Sequence, residues 1–166
     1  SQFAMKDIEV RGVPMRVYEA APPSMRFVWE LATGYGDRDY VVFEDERYTY
    51  AESDANIRAL AHHLRDVHGV GPGDRVALAM RNYPEWIFAF NAATSIGAIA
   101  VAMNSLWLSE EMEFGLKDSG AKVLFADQER LDRLAPVRES LDLEVVSVRA
   151  TERPANTSAL EDLLAG

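Results

Sequence analysis

Three histidines, His62, His63 and His68, stand within seven residues of one another. Histidines on a helix make a metal site when they fall at i and i+4. Here the separations are one, five and six, and the chain has no cysteine to supply a thiolate ligand, so the trio reads as a solvated helix face. Glu110, Glu111 and Glu113 follow Ser109, where acids in a first helical turn meet the positive end of the helix dipole. Asp127 ends an apolar run, as a phosphoacceptor aspartate would, but no acidic pair stands on an opening strand to complete such a site. Gly69-Val70-Gly71-Pro72-Gly73 has the glycines of a dinucleotide loop. That loop follows a strand and opens a helix, so that the helix N-terminus meets the pyrophosphate. These glycines instead follow a helical pattern and precede a strand, which makes them a turn. Asn156-Thr157-Ser158 matches a glycosylation acceptor by chance in a chain with no secretion signal. Neither a Gly-x-Ser-x-Gly elbow nor a Gly-x-x-x-x-Gly-Lys-Ser/Thr loop is present. Residue chemistry alone therefore assigns no catalytic, cofactor-binding or metal-ligating residue.

The elements around these residues are organised by the stretch from Val70 to Asn104. Pro72-Gly73-Asp74 is turn chemistry, and Arg75 to Met80 is a short apolar strand. Pro84 suits the first turn of a helix that runs to Ser95. Gly97 ends that helix in a left-handed cap. Ala98 to Met103 is apolar without alternation, which reads as a strand buried on both faces. Trp86, Ile87, Phe88, Phe90 and Ile96 surround the helix, so it should be covered on several sides.

Upstream, Ile8–Arg11 and Met15–Tyr18 flank a Gly12-Val13-Pro14 turn as one hairpin. Ser24 caps a helix carrying Phe27, Val28, Leu31 and Ala32, stopped by Gly34 and Gly36. Tyr40–Phe43 and Arg47–Thr49 form a second hairpin around Glu44-Asp45-Glu46. Thr49 and Glu52 have capping-box spacing, and Ile57, Leu60, Ala61, Leu64 and Val67 make one helical stripe closed by Gly69. Downstream, Ser109 caps a helix with Phe114 and Leu116 that Gly120 closes. Lys122–Ala126 is a third buried strand, Glu129–Leu141 a helix interrupted by Pro136, and Glu144–Val148 a fourth strand. The pattern from Arg75 is β-α-β-α-β-α-β, which gives a parallel sheet with helices on its faces. The fold class is α/β, preceded by small N-terminal hairpins and a helix. Four segments follow: residues 1–5 as a cloning remnant, 6–50 as the hairpins and helix, 51–148 as the α/β subdomain, and 149–166 as a polar linker with the start of a helix.

The chain has 166 residues, 48% of them hydrophobic, and 17 basic against 27 acidic residues give a net charge of −10. That charge argues against non-specific nucleic-acid partners. No apolar run reaches the roughly 20 residues that cross a bilayer. The expected class is a cytoplasmic α/β domain.

Four segments in register carry a resemblance. They are Tyr48-Thr49-Tyr50-Ala51-Glu52, Gly69 to Val76, Asn82-Tyr83-Pro84-Glu85-Trp86, and Gly97 to Asn104. Glu110-Glu111 and Asp118 to Lys122 follow them. Together these resemble the adenylate-forming enzymes, which include acyl- and aryl-CoA synthetases, luciferases and peptide-synthetase adenylation domains. The Asn82–Trp86 wording is most similar to bacterial fatty acyl-CoA synthetases. Ser53 stands where the first motif has Leu, and Ala102 where the fourth has Pro; both read as local packing changes. The resemblance implies part of the large N-terminal domain of an ATP-dependent medium- or long-chain fatty acid–CoA ligase. Such a parent uses ATP, Mg2+ and CoA, forms an acyl adenylate from its fatty acid substrate, and passes the acyl group to CoA. The family's Ser/Thr/Gly-rich phosphate loop with Pro-Lys-Gly, its Mg2+-binding acid, its ribose-binding Asp and its C-terminal catalytic Lys are not in this sequence. The chain is therefore expected to be inactive alone, to bind none of these cofactors, and to self-associate through surface bared by truncation. A free-standing α/β protein-interaction module and a small flavodoxin-like nucleotide-binding domain are the alternative readings.

Overall fold

The computed structural model describes residues 3–164. Strands β1 (Met5–Val10) and β2 (Val13–Tyr18) form an antiparallel hairpin in which Met5 opposes Tyr18 and Val10 opposes Val13. The chain reverses at Arg11–Gly12, with φ of 50° and 81°. Positive φ at both positions belongs to the tight turn whose twist matches the strands. The turn thus lies one residue earlier than expected, Val13 and Pro14 belong to β2, and Met5 opens β1. Helix α1 (Met25–Ala32) begins where the Ser24 hydroxyl accepts the Phe27 N–H at 3.1 Å. Only Trp29 is buried on it, whereas Phe27, Val28 and Leu31 are exposed.

A second hairpin, β3 (Asp39–Phe43) and β4 (Glu46–Thr49), runs directly into α2 (Tyr50–Asp66). The capping box is formed: the Glu52 N–H donates to Thr49 Oγ1 at 3.1 Å, and the Thr49 N–H to Glu52 Oε2 at 2.8 Å. Ile57, Leu60 and Leu64 are buried on its inner stripe. Val67, expected to continue that stripe, follows the last helical turn and is 65% exposed.

The sheet is built from β5 (Arg75–Ala79), β6 (Ile99–Ala102), β7 (Val123–Asp127), β8 (Glu144–Val148) and β9 (Thr157–Ala159). All pairings are parallel and the order is β6-β5-β7-β8-β9. Helix α3 (Pro84–Ser95) links β5 to β6, α4 (Ser109–Ser119) links β6 to β7, and α5 (Gln128–Leu134) leads to β8 through a tighter turn over Ala135–Ser140, where Pro136 breaks the α pattern. Alternation along the strands divides the core into two layers. Val76, Leu78, Val123, Phe125 and Val146 pack with α2, α3 and Leu160 of α6 (Leu160–Leu164). Ala77, Leu124, Ala126 and Val145 pack on the other face against Met112 and Leu116 of α4 and Leu131 and Leu134 of α5.

Three expectations are corrected here. The strand expected to be buried on both faces, β6, lies at the edge of the sheet, with Ile99 52% exposed. The chain steps from β5 outward to β6 and then back over β5 to β7, so an apolar run marks an edge strand. The polar stretch expected as linker contains β9, a fifth strand paired with β8. Ser109 is the first residue of α4 rather than its cap; the Leu108 N–H is taken by Glu111 Oε2 at 3.0 Å, while Ser109 Oγ donates to the Arg133 carbonyl at 2.6 Å. Gly97, with φ of 82°, leaves room for Pro72, whose Cβ would lie 3.2 Å from any added Cβ.

Candidate functional site

In an open parallel sheet, a crevice forms at the carboxyl edge where successive connections leave on opposite faces. Here that point lies between β5, which is followed by α3 on one face, and β7, which is followed by α5 on the other. A groove of about 680 Å³ opens beside it, lined by Phe43 and Glu44 of the hairpin turn, Met80 to Tyr83 after β5, Trp86 of α3, and Ala102, Met103 and Ser105 after β6.

Asp127 sits at the centre of this edge and is almost fully buried. Its Oδ2 accepts the Arg81 N–H at 2.9 Å and its Oδ1 caps α5 by accepting the Arg130 N–H at 3.2 Å. Arg130 Nη1 also lies 3.1 Å from Asp127 Oδ2. A carboxylate held by three donors is a staple between strands, not a free nucleophile. Arg130 carries the connection onward, donating to the Ser105 carbonyl at 2.6 Å. Arg133 joins it, donating to the carbonyls of Ser105 at 2.8 Å and Trp107 at 3.1 Å. Glu129 bridges the two guanidinium groups. These contacts fix the loop after β6, and with it one wall of the groove.

Arg149, just beyond β8, fixes the other wall. Its Nη1 and Nη2 each lie 2.7 Å from the Glu46 carboxylate, and its Nε lies 2.9 Å from Glu85 Oε1. Its guanidinium is 5.2 Å from the Phe43 ring centre and 5.1 Å from that of Tyr83, so it draws both aromatic walls together. The hydrogen bonds from Arg149 hold Glu46 below the usual carboxylate range, and those to Glu46 raise Arg149 further above its own. Tyr48, partly buried and donating to Glu46 at 2.8 Å, is pushed up to about 12, chiefly by burial. Arg149 adopts φ of 50°, and its N–H donates to Glu161 of α6 at 2.6 Å. Sequence reasoning passed over Arg149 because it opens a polar stretch; its partners Glu46 and Glu85 lie 103 and 64 residues away.

Elsewhere the singled-out residues are structural. The Gly71 N–H donates to Asp74 at 2.9 Å and Lys122 reaches the same carboxylate at 2.8 Å, so the glycine run is a braced turn before β5. His62 is exposed beside Arg65 and Asp66. His63 and His68 meet edge to face at 4.7 Å. Glu110 and Glu111 lie in the first turn of α4, whereas Glu113 lies beyond it and pairs with Lys117 at 2.6 Å. Asn156 precedes β9 with φ of 60°, and Thr157 opens that strand. Among the described residues, no group of three or more His, Asp or Glu side chains is placed to hold a metal ion. Ser53, where the adenylate-forming motif has Leu, is fully buried with its hydroxyl unpartnered.

The profile of the AMP-binding enzyme family matches residues 28–163. This chain belongs to that family. It is 34% identical over 132 residues to a medium/long-chain fatty-acid–CoA ligase of Mycobacterium tuberculosis, covering 78% of this chain and 22% of the relative. It is also 34% identical over 126 residues to a 3-hydroxybenzoate/4-hydroxybenzoate–CoA ligase of Thauera aromatica, covering 75% and 24%. Its fold matches that of the anthranilate–CoA ligase AuaEII with a TM-score of 0.80 at 23% identity, over 86% of this chain and 28% of that one. The chain thus spans about a quarter of the length of these AMP-binding relatives. Around the groove Arg130, Arg133 and Arg149 are engaged with carboxylates and carbonyls, and the guanidinium of Arg81, 66% exposed, lies 3.6 Å from Glu129.

Proposed function

We propose that this chain is the N-terminal part of an ATP-dependent carboxylate–CoA ligase, and that it serves there as scaffold rather than reacting centre. The observation that carries the reading is the family match over residues 28–163 together with a fold that covers 28% of the anthranilate–CoA ligase. The chain's own residues do two things in this role. The Asp127–Arg130–Arg133 and Arg149–Glu46–Glu85 networks hold the two walls of the carboxyl-edge groove, and Arg81 with the Phe43, Tyr83 and Trp86 rings gives that groove a cationic and aromatic lining. Such a lining binds and orients; a phosphoryl group in transfer needs cationic clamps at the reacting atoms, which these residues do not supply.

Within that class we propose a medium- or long-chain fatty acid as the parent's substrate, with ATP, Mg2+ and CoA, in the cytoplasm. The fatty-acid ligase of M. tuberculosis supports this choice, and the hydroxybenzoate ligase of T. aromatica, equally similar, favours an aryl acid instead. Hydroxamate trapping of the acyl adenylate by the full reading frame separates them. Trapping with C8–C16 acids and not with benzoates is expected; the reverse result rejects the fatty acid, and trapping of neither rejects the ligase. We further propose that the 166-residue chain associates with itself.

A further inference from the structure

The hairpin β1–β2 has one largely apolar face and leaves it uncovered. Opposed and alternate residues of a hairpin share a face. Its register therefore sets Lys6, Ile8, Val10, Val13, Met15 and Val17 on one side, and Met5, Asp7, Glu9, Pro14, Arg16 and Tyr18 on the other, so that the first side is apolar but for Lys6. Asp7 and Arg16 pair across the polar side at 2.8 Å. On the apolar side Val13 is 57% and Met15 48% exposed. A lone two-stranded hairpin is marginal in water unless something packs on it.

A matching surface lies on α1, whose Val28 and Leu31 are 41% and 63% exposed. The hairpin of the same chain leaves that surface exposed. Glu19 to Ser24 join the two, and within them Pro22-Pro23 fixes φ and restricts the preceding residue to extended backbone. This stiff bridge limits how the hairpin can fold back on the helix that follows it. Charge points the same way. The hairpin carries Lys6, Arg11 and Arg16 against Asp7 and Glu9, while the whole chain is at −10. Two bodies so acidic repel, and a hairpin with a slight excess of cations is the part of one copy that the body of another attracts. Salt screens that attraction beyond roughly 8 Å, but the apolar contact itself is insensitive to it.

We propose that two copies of this chain exchange hairpins, the apolar face of each β1–β2 lying on α1 of the other copy. The proposal rests on the self-association put forward above and names the surface that produces it. A sheet face laid on a helix stripe is a standard way of burying both.

The absence of cysteine from the chain makes a direct test available. Val13→Cys and Leu31→Cys chains, each altered at an exposed position, are mixed and mildly oxidised. A disulfide-linked pair of twice 18.5 kDa is expected. Pairing Val13→Cys with Phe114→Cys, an exposed site on the far face of the sheet, should give none. In light scattering at micromolar concentration, the unaltered chain should be dimeric, and Ile8→Glu with Met15→Glu should return it to 18.5 kDa with its far-ultraviolet dichroism retained. A monomeric unaltered chain would overturn the self-association and the exchange together. A dimer that survives the double glutamate variant, or that cross-links through Phe114→Cys as readily, would overturn the exchange alone. So would an intrachain disulfide in a Val13→Cys/Leu31→Cys chain, which would place the hairpin on its own helix.

Discussion

His63 and His68 face each other edge to face, and the Nε2 of each is buried without a hydrogen-bond partner. Burial lowers the pKa of both; His68 adds to the effect on His63, and Glu144 partly opposes it on His68. An imidazole whose pKa is lowered by folding binds protons more weakly in the native chain than in the unfolded one. Stability contributed this way is present above the unfolded value near 6.5 and is lost as pH falls from there toward the lower native value. The carboxylates held low by their partners, such as Glu46, Asp66 and Asp74, begin to count only below roughly pH 4.5. Urea unfolding should therefore show stability falling from pH 7 to 5, and His63→Gln with His68→Gln should flatten that slope. An unchanged slope in the double variant would assign the effect elsewhere. The trio that invites a metal reading in sequence is thus a titrating pair and one solvated neighbour.

At the scale of elements, the helices and central strands were legible because each carried two independent local signals. The α2 capping box coincided with an apolar stripe, and Pro84 and Gly97 bracketed α3. What sequence could not show was lateral position. The run from Ala98 to Met103 is as apolar as Val123 to Ala126, yet one lies at the edge and the other at the centre, because order in a sheet depends on which neighbour each crossover reaches. β9 escaped notice because three residues beside a polar run carry no periodicity. The groove escaped for a related reason: its walls are held by Arg149 and Arg130 across long separations, and pairing at a distance leaves no local pattern. Helix α3 shows the same limit. Its side chains surround it as expected, but only Phe88 among its large aromatic residues is fully buried, and Trp86 is half-covered, stacked on Phe90 at 5.3 Å with an interplanar angle of 9°. A fully packed Trp→Ala change costs about 3–5 kcal/mol. With partial burial and one stacked partner, Trp86→Ala should cost about 2 kcal/mol in fluorescence-monitored denaturation. A loss above 4 kcal/mol, on the order of a fully packed site, would mean that Trp86 is covered in solution, and a loss of a few tenths that its stacking contributes nothing.

For the whole molecule, the deciding relation is between the networks that are complete and the chemistry that is not. The guanidinium groups that shape the carboxyl edge are already engaged: Arg149 with Glu46 and Glu85, and Arg130 and Arg133 with Asp127, Glu129 and two backbone carbonyls, although the buried Nε of Arg130 has no partner. Withdrawing Arg130 or Arg149 to meet a triphosphate would take a partner from a buried carboxylate, Asp127 or Glu85, a cost of several kcal/mol for a desolvated pair. Among the described arginines of this edge, Arg81 alone has a guanidinium largely in solvent, and one cation cannot hold an in-line displacement at phosphorus. We therefore expect no adenylation by this chain alone. ATP–pyrophosphate exchange with the 166-residue chain, run across C8–C16 acids and benzoates, should stay at the level of buffer. Exchange that depends on the added acid would reject the scaffold reading and would direct attention to Arg81, whose replacement by Met should then abolish it.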